Sequence, residues 1–191
     1  VIRALASVRR ADVCLLVIDS KEGLTEQDVK IAGYIHEQGK PSVIVMNKWD
    51  IVEKDTHTVE EFRKKLDCDL AFMDYYVAVY VSAKTGQRLE KVLDTAEKSL
   101  ENARRRITTG TLNDVVADAV RMTEPPSKKG RRLKIYYSTQ EGTEPPTFII
   151  FVNNKDLVHF SYKRYLENVI RKTFDFSGTP IRIFFREKEE E

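Results

Sequence analysis

VCLLVID (residues 13–19), SVIVMN (42–47) and VAVYVS (77–82) are the three stretches that decide the fold class. Each is short and dominated by Val, Ile and Leu, a composition typical of strands that are covered on both faces of a parallel sheet. The segments between them are longer and carry apolar residues at helical spacing, so strands and helices alternate along the chain. The first half of the sequence is therefore predicted to be α/β, with a parallel sheet and flanking helices.

Helix boundaries in this half are indicated by Ser/Thr-x-x-acid spacings. Thr25 with Asp28 and Thr58 with Glu61 have the arrangement in which a hydroxyl caps a free backbone amide at a helix start. A last helix is predicted over about residues 87–105. Its apolar stripe consists of Leu89, Val92, Leu93, Ala96, Leu100 and Ala103.

The pattern breaks at residues 107–110, which predicts two domains, 1–106 and 107–191. The second domain has the predicted order α-β-β-α-β, an α+β arrangement, with a Lys-rich loop after its first helix. The predicted elements are helix 112–121, strand 133–139, strand 148–153, helix 162–174 and strand 181–186. The aromatic residues of its first two strands, Tyr136, Tyr137 and those from Phe148 to Phe151, are predicted to belong to the core rather than to form base-stacking platforms.

Composition narrows the class of protein. The 191 residues include 32 Lys plus Arg and 30 Asp plus Glu, and the net charge of +2 excludes a histone-like polycation and an acidic disordered chain. The longest apolar run, residues 13–18, is far shorter than the roughly 20 residues of a membrane-spanning helix. Two cysteines, Cys14 and Cys68, are too few for a disulfide framework, which favours a reducing compartment. A cytoplasmic globular protein is therefore predicted.

Asn47-Lys48-Trp49-Asp50 follows the second predicted strand directly, at the edge where ligands bind in open α/β sheets. Guanine offers N1–H and N2–H₂ as adjacent donors, and a fixed carboxylate such as that of Asp50 accepts both. The Asn47 amide either contacts the opposite edge of the base or ties neighbouring loops together. The Lys48 stem is expected to lie over the base, and Trp49 either shields the base or anchors its loop.

A second motif, Ser82-Ala83-Lys84, follows the third predicted strand. Because the ends of neighbouring parallel strands share one edge, we expect this motif to lie beside Asp50. Its backbone amides are then placed to donate to guanine O6, with Lys84 on the other side of the base. The alternative, an ordinary polar turn at 47–50, is weakened by this second motif.

These motifs resemble the guanine-recognition motifs of P-loop GTPases. The amino-acid sequence around them is similar to that of the Der/EngA family of tandem-domain ribosome-assembly GTPases. The similar stretches are 11–19, 22–28, 44–50, 133–137 and 159–162 with Asn168. The resemblance implies GTP and GDP binding, magnesium-dependent GTP hydrolysis, and a partner in the large ribosomal subunit or its ribosomal RNA. It also implies an N-terminal GTPase domain in the same parent chain.

The phosphate-binding motifs of that family are missing from the sequence. No G-x-x-x-x-G-K-[ST] P-loop occurs, and the segment from Gly33 to Gly39-Lys40-Pro41 has one residue too many between its glycines and a Pro in place of the hydroxyl. The segment 175–178 (DFSG) mimics a D-x-x-G motif but is interpreted as a turn between a helix and a strand. We therefore predict an amino-terminally truncated piece that has no catalytic or metal-binding residue. On its own it is expected to bind guanine nucleotides at best very weakly, and neither a nucleotide nor Mg²⁺ is expected to be found bound to it.

The second domain resembles a K-homology-like fold but lacks the G-x-x-G loop with which such domains grip single-stranded RNA. Residues 110–186 hold 13 Lys/Arg against 8 Asp/Glu, whereas residues 1–109 hold 18 of each. Contact with ribosomal RNA phosphates is one interpretation of this excess, and a solvated or protein-binding face is the other. The candidate RNA-contact residues are Lys128, Lys129, Arg131, Arg132, Lys163, Arg164, Arg171 and Lys172.

Two other functions stay open from the residues alone. One is an RNA- or protein-binding module whose first half is only a docking scaffold, and the other is a different GTPase that carries a K-homology domain. The three histidines, His36, His57 and His159, have no second metal-type ligand at a useful spacing, so no metal or catalytic role is predicted for them.

Overall fold

The structure is a computed structural model that describes residues 2–55, 57–128 and 130–188. The chain forms two compact units, Val1–Ala103 with Ser177–Pro180 and Arg104–Phe176 with Ile181–Glu191. The domain boundary that the sequence indicates after residue 106 stays a prediction. Within the described ranges, no helix combines the length and the apolar character that a membrane crossing requires.

The first unit is built from three parallel strands and four helices within its described residues. They are α1 (Ile2–Arg10), β1 (Cys14–Asp19), α2 (Glu26–Glu37), β2 (Ser42–Asn47), α3 (Thr58–Asp69), β3 (Ala78–Tyr80) and α4 (Leu89–Arg104). The strands lie in the order β1-β2-β3. Helices connect the successive parallel strands, as such crossovers require, and the predicted α/β class with a parallel sheet is confirmed.

Strand β2 is buried on both faces. On one face Ile44 and Met46 pack with Leu66 of α3. On the other face Val43 packs with Val92 of α4. This double coverage is the reason why the strand is apolar without alternation.

Strand β1 is covered on one face only, so the prediction that all three strands are covered on both faces is wrong for it. Leu16 and Ile18 are buried, whereas Leu15 and Val17 are 45% and 57% exposed. The cause is position: β1 lies at an edge of the sheet, and α4 packs over β2 and β3 instead. Leu93, part of the predicted apolar stripe of α4, is consequently 68% exposed.

The two predicted helix caps have different outcomes. At α2 the capping box is confirmed, because Thr25 Oγ1 accepts from the Asp28 N–H at 3.2 Å and the Asp28 carboxylate accepts from the Thr25 N–H at 2.9 Å. At α3 the prediction is wrong, because the capping position is His57 and Thr58 is already helical. The Asp55 carboxylate accepts from the His57 N–H at 2.7 Å, and Thr58 Oγ1 is engaged by the Asp55 N–H at 2.8 Å.

The second unit packs two helices on one face of a three-stranded sheet. Its elements are α5 (Thr109–Met122), β4 (Ser127–Lys128), β5 (Arg131–Arg132), β6 (Ile135–Gly142), β7 (Thr147–Val152), α6 (Phe160–Phe174) and β8 (Arg182–Glu187). β7 is central, antiparallel to β6 and parallel to β8. Leu112 of α5 and Leu166 of α6 share a core with Ile150 and Ile183 of the sheet. The predicted α-β-β-α-β order is confirmed, and the short β4–β5 hairpin stands where a loop was predicted.

The segment Ser177–Pro180 belongs to the first unit. The Gly178 carbonyl accepts from the Ser42 N–H, and the Gly178 N–H donates to the Tyr75 carbonyl, both at 2.8 Å. Gly178 has φ +76°, and a Cβ at this position would lie 2.0 Å from Ser99 Oγ. Only glycine fits both the backbone conformation and the space. The turn predicted for residues 175–178 is present.

Candidate functional site

The carboxyl ends of the three parallel strands bring polar residues together. Asp19 at the end of β1 lies in register with Asn47 at the end of β2. Beyond β3, the backbone N–H of Val81 donates to the Met46 carbonyl at 2.8 Å, and the Trp49 N–H donates back to the Val81 carbonyl at 2.9 Å. The segments that follow β2 and β3 are therefore adjacent, as the sequence predicts for this sheet edge.

Asn47 ties these two segments together. Its Oδ1 atom accepts a hydrogen bond from the backbone N–H of Ala83 at 3.0 Å. Of the two roles that the sequence leaves open for this amide, the structure has the loop-tying one. The Asn47 side chain thus holds the loop of residues 82–86 against the end of β2.

Asp50 lies on a short 3₁₀ helix, Trp49–Ile51, directly after β2 and is exposed. A hydrogen bond from the Ser82 hydroxyl lowers the pKa of the Asp50 carboxyl below its ordinary value, and the nearby Lys84 ammonium acts in the same direction. Ser82 is fully buried, and its Oγ also accepts from the Thr85 N–H at 3.2 Å. Asp50 is therefore an ionised acceptor beside a buried hydroxyl.

The Lys48 side chain is held by the carboxylate of Asp19. Its Nζ lies 2.5 Å from Asp19 Oδ2, and its backbone has φ 59°. The hydrogen bond from Lys48, with a further one from the Lys21 N–H, lowers the pKa of the Asp19 carboxyl, and Asp19 in turn raises the pKa of Lys48. The ammonium therefore points to Asp19, which leaves the methylene stem as the part of Lys48 available to a base.

Asp19 was not singled out as a site residue from the sequence. It ends the strand β1 next to β2, so the shared edge of parallel strands was the signal that pointed to it. Its partner Lys48 is 29 residues away along the chain, and local spacing does not reveal such a pair.

Trp49 anchors the loop. The side chain is 3% exposed and packs edge-on against Phe62 of α3, with 5.1 Å between ring centroids, and against Tyr80 of β3 at 4.6 Å. Of the two roles left open for Trp49, the structure has the anchoring one. This packing fixes the backbone on which Lys48 and Asp50 lie.

A cavity of about 260 Å³ lies beside this edge. It is lined by the loop 20–24 and by α3 residues that include Glu61, Phe62 and Lys65. None of the six predicted guanine-binding residues is among the residues that line it. The arrangement of Asp50 with Ser82 and Lys84 is open to solvent rather than enclosed, since Asp50 and Lys84 are both exposed.

The basic hairpin of the second unit, defined as β4 and β5, has basic side chains on both of its faces. Lys128 pairs in register with Arg131, and both are exposed. Arg132 is one residue along and forms an ion pair with Glu124, with 3.2 Å between Nη2 and Oε2. Lys129, also a candidate RNA contact, lies outside the described residues.

The basic residues of α6 have two different environments. Lys163, Arg164 and Lys172 are exposed. The Arg171 side chain is only 12% exposed, and its Nη1 donates to the Phe176 carbonyl at 3.0 Å while Nη2 lies 3.9 Å from Glu167 Oε1. Arg171 is thus held by contacts within the second unit, and its role as an RNA contact stays a prediction.

The histidines contribute to packing and capping. His36 Nδ1 is 2.8 Å from Tyr75 Oη, and His159 Nδ1 is 2.7 Å from Ser161 Oγ at the start of α6. Within residues 2–55, 57–128 and 130–188, no group of three or more His, Cys, Asp or Glu side chains is arranged to hold a metal ion.

The parallel sheet with polar residues at its carboxyl edge is the architecture of a nucleotide-binding α/β domain. Residues 1–102 match the family described as the elongation factor Tu GTP binding domain, so the chain belongs to this family of GTP-binding domains. Residues 106–186 match the KH-domain-like C-terminal domain of EngA bacterial GTPase enzymes.

Two curated relatives that match the whole chain are both named GTPase Der. The chain is 53% identical over 191 residues to GTPase Der of Acetivibrio thermocellus and 55% identical over 190 residues to GTPase Der of Ruminiclostridium cellulolyticum. In both alignments the match covers 100% of this chain and 43% of the relative, so the chain spans less than half the length of these GTPases. The resemblance to the Der/EngA family is confirmed.

Among solved structures, a crystal structure of Era from Aquifex aeolicus bound to GDP and AlF₄⁻ is similar to this chain. The TM-score is 0.44 at 19% identity, over 96% of this chain and 67% of that one.

Proposed function

We propose that this chain is the C-terminal part of a GTP-hydrolysing protein, called the intact protein below, and that the sheet edge of its first unit recognises guanine. The residues in this role are Asn47, Lys48, Asp50, Ser82, Ala83 and Lys84. The observation that carries the proposal is the hydrogen bond between Asn47 Oδ1 and the Ala83 N–H. It joins the loop that carries Lys48 and Asp50 to the loop that carries Ser82, Ala83 and Lys84.

Asp50 supplies base specificity in this proposal. Its carboxylate accepts from N1–H and N2–H₂ of guanine, and the Ser82 hydroxyl on the same carboxylate limits the directions in which it can turn. Lys48, fixed at its tip by Asp19, lays its stem along one face of the base. Adenine offers no matching pair of donors, and a site that leaves its polar group unpaired discriminates by about 10⁴ to 10⁵ in favourable cases.

GTP hydrolysis and Mg²⁺ binding are assigned to the intact protein and not to these residues. The sequence has no P-loop, and the described residues contain no cluster of metal-type ligands. The residues of this chain select the base, while the phosphates are held elsewhere in the intact protein.

The test of base recognition is the Asp50→Asn variant of the intact protein. Xanthine has a carbonyl where guanine has N2–H₂, so an amide donor at position 50 favours XTP over GTP. We expect XTP binding to appear in the variant, measured by titration calorimetry. The gain of a new ligand is specific to this site, even if another GTP-binding domain is present.

Asp74→Asn is the matched control, because Asp74 is also an exposed aspartate of the first unit. It is expected to leave XTP binding absent. If Asp50→Asn keeps the GTP-over-XTP preference of the wild type, Asp50 is not the base reader.

We further propose a cytoplasmic protein whose second unit contacts the RNA of the large ribosomal subunit. Support comes from the Der/EngA resemblance and from exposed basic residues, Lys128 and Arg131 on one face of the basic hairpin and Lys163, Arg164 and Lys172 on α6. Arg132 is also proposed as an RNA contact, although its charge is partly compensated by Glu124. Lys129 is proposed as an RNA contact from the sequence alone.

Salt dependence tests this partner. Replacing Lys128, Lys129, Arg131 and Arg132 by Gln is expected to lower the logarithmic salt slope by about 0.7 to 0.9 for each lost phosphate contact. Cosedimentation of the intact protein with large ribosomal subunits over a salt series measures it. The matched control replaces Lys30, Lys64, Lys91 and Lys98, four exposed lysines of the first unit. Equal curves for the hairpin variant and the wild type would exclude RNA contact by the basic hairpin and favour a protein-docking role.

A further inference from the structure

The sheet of the second unit has a second face, opposite the one that packs on α5 and α6. Phe148 and Ile150 of β7 and Ile183 of β8 point into the core with α5 and α6. Residues one position along point the other way. On this second face Tyr137, Phe151 and Arg186 lie side by side across β6, β7 and β8. We call this row, together with Tyr136, the aromatic face.

Both tyrosines of the aromatic face are exposed, and the prediction that Tyr136 and Tyr137 belong to the core is wrong. Tyr136 is 51% exposed and Tyr137 is 42% exposed. The cause is an irregularity in β6: Ile135 pairs with Val152 and Tyr137 pairs with the next residue, Phe151. Tyr136 is therefore an extra residue in the strand, a β-bulge, and the alternation expected from the sequence is broken at this point.

The rings are arranged in a way suited to stacking. Tyr137 is nearly parallel to Phe151, with 4.3 Å between centroids and 14° between planes. The Lys188 ammonium lies 6.0 Å from the centroid of the Tyr136 ring. Arg186, in register with Phe151, reaches from β8 to β6, where its Nη2 lies 3.0 Å from Glu141 Oε1. Flat rings are thus exposed beside two cationic side chains.

We propose that the aromatic face binds single-stranded RNA by stacking unpaired bases on Tyr136 and Tyr137. The proposal rests on the RNA partner proposed above and names the form of RNA and the chemistry of its recognition. Aromatic side chains next to basic ones are how proteins hold unpaired bases, because every base has a π face and every linkage a negative charge. In duplex RNA the bases are stacked on each other and do not reach such a surface.

Basic side chains next to the rings favour RNA over an apolar protein partner. Lys134, Arg182, Arg186 and Lys188 lie on or next to the edge strands β6 and β8. The acidic residues of the same described stretches are Glu141 and Glu187, and three glutamates follow at positions 189–191 of the sequence. The basic hairpin ends at Arg132, four residues before Tyr136, so a strand of RNA on the rings has phosphate-binding side chains at hand on the same stretch of chain. The sequence lacks the G-x-x-G loop, and the aromatic face supplies base contacts in a different place.

The experiment replaces Tyr136 and Tyr137 together by Ser in the intact protein. Binding of a fluorescein-labelled oligouridine of about 12 nucleotides is followed by fluorescence anisotropy over a salt series. We expect affinity to fall by about 10-fold or more at every salt concentration, with the salt slope unchanged because no charge is removed. Tyr136→Phe with Tyr137→Phe keeps the rings and is expected to bind like the wild type.

Two controls separate stacking from other causes. Phe160→Ser removes an aromatic residue that is 75% exposed on α6 and away from this sheet, and it is expected to leave binding unchanged. Duplex RNA of the same length is expected to bind the wild type and the Tyr136/Tyr137 double Ser variant equally. Circular dichroism confirms that each variant is folded.

The outcomes distinguish this proposal from the one on which it rests. Wild-type affinity of the double Ser variant for the oligouridine overturns the aromatic face as an RNA site, whatever the basic hairpin does. An equal loss for single-stranded and duplex RNA also overturns it, because that loss does not depend on exposed bases. Unchanged RNA binding with lost binding to ribosomal subunits overturns it in favour of a protein partner. If the salt slope changes in the hairpin variant while the double Ser variant binds like the wild type, the RNA partner is supported and the stacking on Tyr136 and Tyr137 is overturned.

Discussion

The side-chain oxygen of Asn47 accepts a hydrogen bond from the backbone N–H of Ala83, 36 residues further along the chain, at 3.0 Å. This bond connects the loop after β2 with the loop after β3. The first loop carries Asp50, and the second carries Ser82, whose hydroxyl lowers the pKa of the Asp50 carboxyl. The residues proposed to recognise the base therefore lie on two connected loops, and we expect a change at Asn47 to act on Asp50 through the second loop.

Asn47→Ala is expected to weaken nucleotide binding without touching the Asp50 side chain. Loss of one hydrogen bond that positions a loop corresponds to about 1 kcal/mol, or about 5- to 10-fold in affinity. Asn47→Asp keeps an oxygen acceptor for the Ala83 N–H and is expected to bind more tightly than Asn47→Ala. Both are measured as XDP affinity in the Asp50→Asn background, which reports on this site alone. An Asn47→Asp variant as weak as Asn47→Ala would point to a direct contact between the amide nitrogen and the base.

The Asp50 carboxyl is expected to titrate below its ordinary pKa of 3.8, chiefly because of the Ser82 hydroxyl. A lowered pKa in the folded state means that the interaction contributes stability above the pKa of the unfolded state, and that this contribution is lost as pH falls through the folded pKa. Base recognition by Asp50 should therefore be constant between about pH 5 and about pH 8. Carboxyl ¹³C shifts in a pH titration measure the midpoint. Ser82→Ala should raise it, and an unchanged midpoint would exclude Ser82 as the main cause.

The 191-residue chain on its own is expected to show no GTP hydrolysis and at best very weak guanine-nucleotide binding. Phosphates supply the main charged contacts of a nucleotide, and P-loop amides and lysine that receive them in this class of protein are absent from the sequence. Titration calorimetry with GDP checks this, with the intact protein as the positive control. Micromolar affinity in the isolated chain would contradict the prediction.

Gly178→Ala is expected to destabilise the first unit more than a positive φ alone explains. A non-glycine residue at φ +76° costs about 1–2 kcal/mol. The added Cβ would also lie 2.0 Å from Ser99 Oγ, and overpacking of this kind costs typically about 1–3 kcal/mol more. Gly130→Ala is the matched control, since Gly130 has φ +75° with nothing within 4 Å of its added Cβ. Urea unfolding measures both, and equal losses would show that the contact with Ser99 relaxes freely.

The order of strands and helices and the position of both guanine motifs could be predicted from the sequence. Both depend on residues that are close along the chain. The apolar run SVIVMN indicates a buried strand, and the spacing of the apolar residues on α6 indicates a helix. Asn47 and Asp50 follow a strand in any parallel sheet, so their place at the sheet edge needed only the strand to be recognised.

The partners of these residues were decided by the tertiary structure. The sequence alone left open whether Asn47 would tie loops or touch a base, and whether Trp49 would shield a base or anchor a loop, because Ala83, Phe62 and Tyr80 come close only when β3 and α3 pack beside β2. The one-sided burial of β1 follows from its position at the edge of the sheet. The exposure of Tyr136 and Tyr137 follows from a bulge in the pairing of β6 with β7. Local periodicity carries no information on strand order, sheet edges or bulges, since these are settled by the contacts between distant segments.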